Sequence, residues 1–370
     1  MKGLIDSTLR EGSQTVGVSF SLEEKKQILT GLFQVGIEEV EIGVATSLDQ
    51  DLSELIRFAG ERGGSNRISL WCRCRNNDID YAASLHPDVL SLSIPGSDLH
   101  IQKKLGWDRR RVLDTIGRSV ARACSHDFKM VSLGIEDATR TDMCFLEEMV
   151  QKAVKAGVQR IRLADTVGIV SPGELAETVR KLKAQFAVDI GVHCHNDFGM
   201  ATANSVTAID AGADWADVTV LGLGERTGNA KLEEVAGYLA IRRDRVYNVE
   251  FLLPLAELIA RVGSREIASY HPLLGSRIFH CETGLHLQGL ERDSRTYEPY
   301  PPERVGASRK LFFGSKIGRQ QVKDCLSYLG VYGPKSLQDR VLNEVRKRSV
   351  DLGRPFVHTE LISMVSQVDR

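Results

Sequence analysis

The chain of 370 residues has almost no net charge: 48 Lys and Arg stand against 49 Asp and Glu, a formal balance of −1. That excludes the strong basic field which nucleic acid or an anionic membrane surface would need in a main partner. No apolar run is long enough to span a bilayer, and the amino terminus leads straight into a strand-like segment with no signal-peptide pattern. The seven cysteines are odd in number, scattered and mostly set in apolar runs. They argue against a disulfide framework and suit reduced thiols in a cytoplasmic protein. Cys72 and Cys74 have no second cysteine pair to complete a zinc clip, so they read as strand residues. A glycine-rich phosphate turn after the first strand is also missing. Its place is taken by DSTLREGSQ, Asp6 to Gln14, which speaks against a doubly wound nucleotide-binding sheet.

What the chain does have is alternation. Gly3 to Asp6 is a short apolar run. Ser21 with Glu24 three residues on forms a capping box for a helix with Ile28, Leu29, Leu32 and Val35 on its apolar face, and Gly36 ends it. Strands are predicted over 38–42, 68–72, 89–94, 130–134, 160–164, 190–193 and 216–220. Helices fall between them over 52–62, 78–85, 109–125, 141–156, 172–186 and 201–211, with a last one from about Leu232. Eight strand-then-helix units in roughly 240 residues predict a (β/α)8 TIM barrel. Runs such as VSLGI and IRLAD are nearly all apolar, as parallel strands buried on both faces should be.

The barrel is expected over residues 1–245. Residues 246–370 read as a smaller, mainly helical C-terminal region with a lid segment. Helical stretches over 250–262 and 334–350 flank a loop-rich part from Tyr270 to Tyr300, dense in His, Glu, Tyr and Pro. A loop of that length and composition reads as functional.

The motif that organises the rest is GVHCHNDFG, Gly191 to Gly199. At a strand end, a period of two sends His193 and His195 to one face and Cys194 to the other. Barrel active sites form where strands end at their carboxyl side. There the first strand presents Asp6, Arg10, Glu11 and Gln14, the second Glu41, the fifth Glu136 and Asp137, and the sixth Asp165 and Thr166. The loop after the eighth carries Glu225, Arg226 and Asn229. Glu11, His193 and His195 would make a mixed oxygen and nitrogen set suited to Mg, Mn, Co or Zn. Such an ion can chelate a 2-oxo acid and make its keto carbon electrophilic. Arg10, beside the ligand Glu11, would stabilise the charge developing on the keto oxygen.

The motifs DSTLREGSQ, EDATR, LADTVG, HCHNDFGMATANS, GLGERTGNAKLEEV and TGLHLQGL run from Asp6 to about Tyr297. Together they resemble the acyl-CoA-dependent condensing enzymes of the homocitrate, 2-isopropylmalate and citramalate synthase family. The REG opening, the SLSIPGSDLHI stretch and the short length look most like the bacterial nitrogen-fixation type of homocitrate synthase. The resemblance implies metal ligation by Glu11, His193 and His195, with Asn229 near or on the metal. It implies that Arg10 polarises the keto oxygen and that Gln14 and Thr166 contact the 2-oxo acid. His286, with Glu136 and with Tyr297 on the lid, becomes the acid/base set, and acetyl-CoA the co-substrate. A homodimer is implied as well, since this lid usually reaches into a neighbouring barrel. Ser13, Gly134 and the GSKIG run, Gly314 to Gly318, depart from the common family pattern and bear on the choice of 2-oxo acid.

Plainer readings compete at several positions. Glu41 either contacts substrate or pairs with a neighbouring arginine. Asp6 reads as orienting Arg10 or a ligand, and Asp165 as a site residue or a helix cap. Lys103 and His100 fit a solvated face as well as a substrate contact, and the run Arg109 to Arg111 reads as a solvated helix face. A lyase or aldolase on the same barrel is the alternative chemistry, and Asn196-Asp197 after the histidine pair favours the synthase.

Overall fold

Eight parallel strands close on themselves in chain order: Gly3–Asp6 (β1), Glu39–Val44 (β2), Arg67–Arg73 (β3), Val89–Pro95 (β4), Met130–Glu136 (β5), Arg160–Asp165 (β6), Asp189–Cys194 (β7) and Trp215–Val218 (β8), which pairs back to β1. Each is followed by a helix: Leu22–Val35 (α1), Leu52–Arg62 (α2), Asn76–Leu85 (α3), Arg109–Cys124 (α4), Met143–Lys155 (α5), Pro172–Gln185 (α6), Ala201–Asp210 (α7) and Leu232–Arg242 (α8). This is the (β/α)8 barrel expected. The computed structural model describes residues 1–62, 64–332 and 334–368, with side chains through Met364.

Local chemistry sets the helix starts and stops. The Ser21 hydroxyl accepts from the Glu24 amide while the Glu24 carboxylate accepts from the Ser21 amide at 2.8 Å, and Ser171 and Glu174 repeat this reciprocal cap at α6. Pro172 takes the first helical position of α6, where a missing N–H costs nothing. Gly36 ends α1 at φ 92, a left-handed conformation that favours glycine.

The barrel interior is not purely apolar. On β6 the alternate residues Arg160 and Arg162 both point inward, one layer apart. Arg160 grips Glu39 of β2 through two bonds of 2.7 and 2.8 Å, donates to Ser132 at 3.0 Å, and lies 5.0 Å from the Trp215 ring. Arg162 donates to Glu41 at 2.7 Å and to Ser91 at 3.1 Å. A register shift in β2 between Glu41 and Gly43 accompanies this layer. Removing one member of such a buried pair strands its partner, at a cost of about 3–5 kcal/mol.

The chain divides into two compact units, Met1–Ile267 and Ala268–Arg370. The division falls beyond the residue-245 boundary expected. The reason is local: helix Leu252–Val262 (α9) packs on α1, where Gly31 has no side chain and a Cβ would stand 2.8 Å from Leu255. The second unit contains Gly284–Arg292 (α10), Arg319–Tyr328 (α11), Lys335–Asp351 (α12) and His358–Val368 (α13), gathered on a core that includes Leu287, Ile317, Val322, Val345 and Leu361. The stretch expected as loop-rich, Tyr270 to Tyr300, thus holds a helix. Burial of Leu287 secures it against two helix-weakening glycines, Gly284 and Gly289. Among the described residues no helix is long and apolar enough to cross a membrane.

Candidate metal centre and active site

His193 lies one residue before the end of β7 and His195 one residue past it, and the strand period turns both rings to the barrel mouth, their Nε2 atoms 3.3 Å apart. Across the mouth, the loop after β1 brings in Glu11. Its Oε1 lies 3.6 Å from His195 Nε2 and 4.0 Å from His193 Nε2. One ligand atom from each of the three falls within 4.8 Å of the others, and all three residues are buried. Donors around one divalent ion at about 2.0–2.2 Å from it stand at such mutual distances.

Asn229 completes the ring. It forms a bridge with His195, and its Nδ2 lies 3.2 Å from His193 Nε2. Its Oδ1 is buried without a hydrogen-bond partner, and rotation of the amide exchanges the two atoms. An unpartnered buried oxygen beside two imidazole nitrogens and a carboxylate fits a cation. Burial lowers the pKa of His193, against the raising effect of Asp217. Burial and then the charge of His193 bring His195 down to about 3. Neutral rings keep their lone pairs for ligation.

The other Glu11 oxygen, Oε2, accepts from Arg10 Nη1, and Arg10 Nε donates to Glu41 at 2.6 Å. Glu41 has no exposed surface, and its two oxygens are engaged by Arg10 and Arg162. Burial acts to raise its pKa, but the two guanidinium groups outweigh that and hold it well below the usual carboxylate range. Glu41 therefore sits behind Arg10 as its anchor, the arginine-pairing role that competed with substrate contact.

Two sequence readings are corrected here. Asp6 does not orient Arg10: its oxygens accept from the Thr8 amide at 2.9 Å and the Thr8 hydroxyl at 3.0 Å, while Thr8 in turn accepts from the Val220 amide. Thr8 is simply nearer in the tight turn after β1. Asp165 does not cap α6, because Ser171 does. It ties down the β6 loop by accepting from Thr139 at 2.8 Å and from the Ile169 and Val170 amides.

On the β5–β6 side, Glu136 accepts from Ser93 at 2.9 Å and from Lys104 at 2.6 Å. Lys103 and Lys104 are both exposed, and it is Lys104 that reaches this carboxylate. The Thr166 hydroxyl accepts from the Asp137 amide at 2.7 Å. Arg226 holds Asp197 through two bonds of 2.9 Å and donates to the Thr166 carbonyl, tying three loops of the mouth together. Gln14 is exposed and borders, with Arg10, a cavity of about 580 Å³ also lined by Lys25 and Asp49.

His286 and Tyr297 lie in the second unit. His286 is exposed on α10, and its ring centroid is 4.0 Å from that of Tyr297. Gly289 makes room for this, since a Cβ there would run into the Tyr297 ring.

The residue that sequence reasoning missed is Asp217 on β8. It is buried, and its Oδ2 lies 2.7 Å from His193 Nδ1 and also pairs with Arg162. Its one sequence trace is an acid two residues after Trp215 in an otherwise apolar strand, which names no partner by itself.

A family profile described as HMGL-like matches residues 3–259, and one described as homocitrate synthase post-HMGL domain-like matches residues 273–352. The homocitrate synthase AksA of Methanothermobacter thermautotrophicus is 36% identical over 93% of this chain and 88% of its own. The 2-isopropylmalate synthase 2 of Caldanaerobacter subterraneus is 35% identical over 99% and 95%, and a putative (R)-citramalate synthase CimA of Methanopyrus kandleri 36% over 95% and 68%. Among solved structures, the HMG-CoA lyase of Bacillus subtilis shares the fold at a TM-score of 0.64 and 20% identity, over 72% of this chain and 95% of that one. With the barrel, the second unit and these relatives together, the chain belongs to the acetyl-CoA condensing synthases, the family of the citramalate, 2-isopropylmalate and homocitrate synthases.

Proposed function

We propose that the protein condenses acetyl-CoA with 2-oxoglutarate and hydrolyses the resulting thioester to homocitrate. The observation that carries the chemistry is the convergence of Glu11, His193 and His195 next to the Glu41-anchored Arg10. Glu11, His193 and His195, with Asn229, would hold a divalent ion: Mg, Mn, Co or Zn. When bound, such an ion supplies Lewis-acid polarisation of a keto group.

The chain's own residues supply the rest. Arg10, fixed by carboxylates on two sides, presents a preorganised guanidinium where charge develops on the keto oxygen. Gln14 and Thr166 contact the oxo acid. His286, with Tyr297 and Glu136, forms the acid/base set. A proton leaves the acetyl methyl for this set, the enolate carbon bonds to the keto carbon, and the keto oxygen takes up a proton. Water then cleaves the thioester, releasing CoA thiol and a carboxylate.

2-Oxoglutarate is favoured by the motif likeness to nitrogen-fixation homocitrate synthases. A homodimer, with the His286 segment of one copy covering the mouth of the other, is supported by the exposed apolar side chains in the segments that follow the strands: Val16, Leu48, Leu99, Ile169 and Phe198. Such a rim gains stability when covered. The experiment is thiol release from acetyl-CoA across a panel of 2-oxo acids. Turnover with 2-oxoglutarate well above 2-oxoisovalerate, pyruvate and oxaloacetate supports the reading. A preference for any of the other three overturns the substrate but keeps the reaction, and release with none overturns both.

A further inference from the structure

His193 Nδ1 faces two groups at once. Asp217 Oδ2 stands 2.7 Å away and can only accept, whereas Arg162 Nη2 stands 3.4 Å away and can only donate. A neutral imidazole carries one proton, and the partner at Nδ1 decides which nitrogen has it. If Asp217 wins, Nδ1 carries the hydrogen and Nε2 turns a lone pair toward His195, Glu11 and Asn229. If Arg162 wins, Nε2 carries the hydrogen and points it at the same cluster, where it blocks ligation.

We infer that Asp217 is a positioning residue that sets the Nε2-ligating tautomer of His193 and keeps the competing donor Arg162 off the ring. The geometry favours this outcome. The Asp217 contact is the shorter of the two and carries the charge of an ionised acceptor. Arg162 is satisfied elsewhere, by Glu41, by Ser91 and by Asp217 itself. All three side chains are buried, so water does not offer Nδ1 an alternative acceptor. A carboxylate behind a ligating imidazole is worth about 10–100-fold in metal affinity.

This inference rests on the metal reading above, and the test separates the two. Co²⁺ affinity is measured by titration calorimetry on the full chain and on Asp217→Asn and Arg162→Met. Both substitutions break the same Arg162–Asp217 pair, so a merely structural role damages both alike. The tautomer role predicts asymmetry: Asp217→Asn weakens Co²⁺ at least about tenfold, and Arg162→Met, which removes the competing donor, stays within about threefold. Equal losses, or an Asp217→Asn protein within threefold of wild type, overturn the proposal. Nitrogen NMR of His193 in the unmodified, metal-free protein reads the tautomer directly and holds even where a variant does not fold. Protonated Nδ1 with bare Nε2 is expected, and the reverse overturns the proposal. Wild-type protein that binds no Co²⁺ sinks the metal reading alone, since the tautomer is still decided by NMR.

Discussion

Glu11 Oε1 stands 3.6 Å from His195 Nε2, though one residue follows the first strand and the other the seventh. Closure of the barrel joins them. Because the other Glu11 oxygen accepts from Arg10, the same carboxylate links the candidate metal ligands to the candidate oxyanion donor. The predictions below follow from that shared carboxylate and the buried charges behind it.

Replacing His193 by Ala is expected to abolish divalent-ion binding and nearly all turnover while leaving the barrel folded, since the residue lies at the carboxyl end of β7, outside the apolar core. Calorimetric titration with Mn²⁺ or Co²⁺ together with circular dichroism checks both halves. Normal turnover in a variant freed of metal would contradict it.

Arg10→Lys is expected to lower kcat by about 10²–10³-fold, the usual cost of losing an oxyanion donor. Lysine offers a point charge where the planar guanidinium serves Glu11 and Glu41 together. Steady-state kinetics reads this, and a KM effect with kcat unchanged would show Arg10 to be a ground-state binder instead.

His286→Ala is expected to keep 2-oxo acid binding but stop enolisation. Deuterium exchange into the acetyl methyl of acetyl-CoA, with the oxo acid present, is the measurement. Undiminished exchange would remove His286 from the acid/base set.

The buried acids predict opposite pH responses. Burial lifts Asp6 to about 7, above its unfolded value, so the folded chain binds that proton more tightly. The stabilisation is complete below the unfolded pKa near 4 and is lost as pH rises toward 7. Glu41 is held below its unfolded value by Arg10 and Arg162 against the effect of burial; its contribution is present above about pH 4 and lost in stronger acid. Urea midpoints of Asp6→Asn should therefore fall less steeply between pH 4 and 7 than those of wild type. Parallel profiles would refute the assignment.

Much of this architecture was legible in the sequence because local signals carried it. Ser21 with Glu24, Pro172 after Ser171, and Gly36 mark helix ends through bonds made within four residues, and the apolar strands announce their burial. His193 and His195 were legible for the same reason, two residues apart at a strand end. Asp217 and Arg162 were not. An acid or an arginine in an apolar strand has no meaning until its partner is known, and Arg162 meets Glu41 only through barrel closure. Of the two roles read for Asp6, orienting Arg10 fails because its partner Thr8 is closer in the turn. In the second unit, α11 and α13 passed unnoticed because mixed polar sequences become helices there by packing on Val322 and Leu361.

The central claim is most directly tested by anomalous diffraction from crystals grown with Mn²⁺. A single strong peak about 2.0–2.2 Å from a Glu11 oxygen and from the Nε2 atoms of His193 and His195 is the expected result. No peak among those three residues, with the ion held elsewhere or nowhere, would contradict the account.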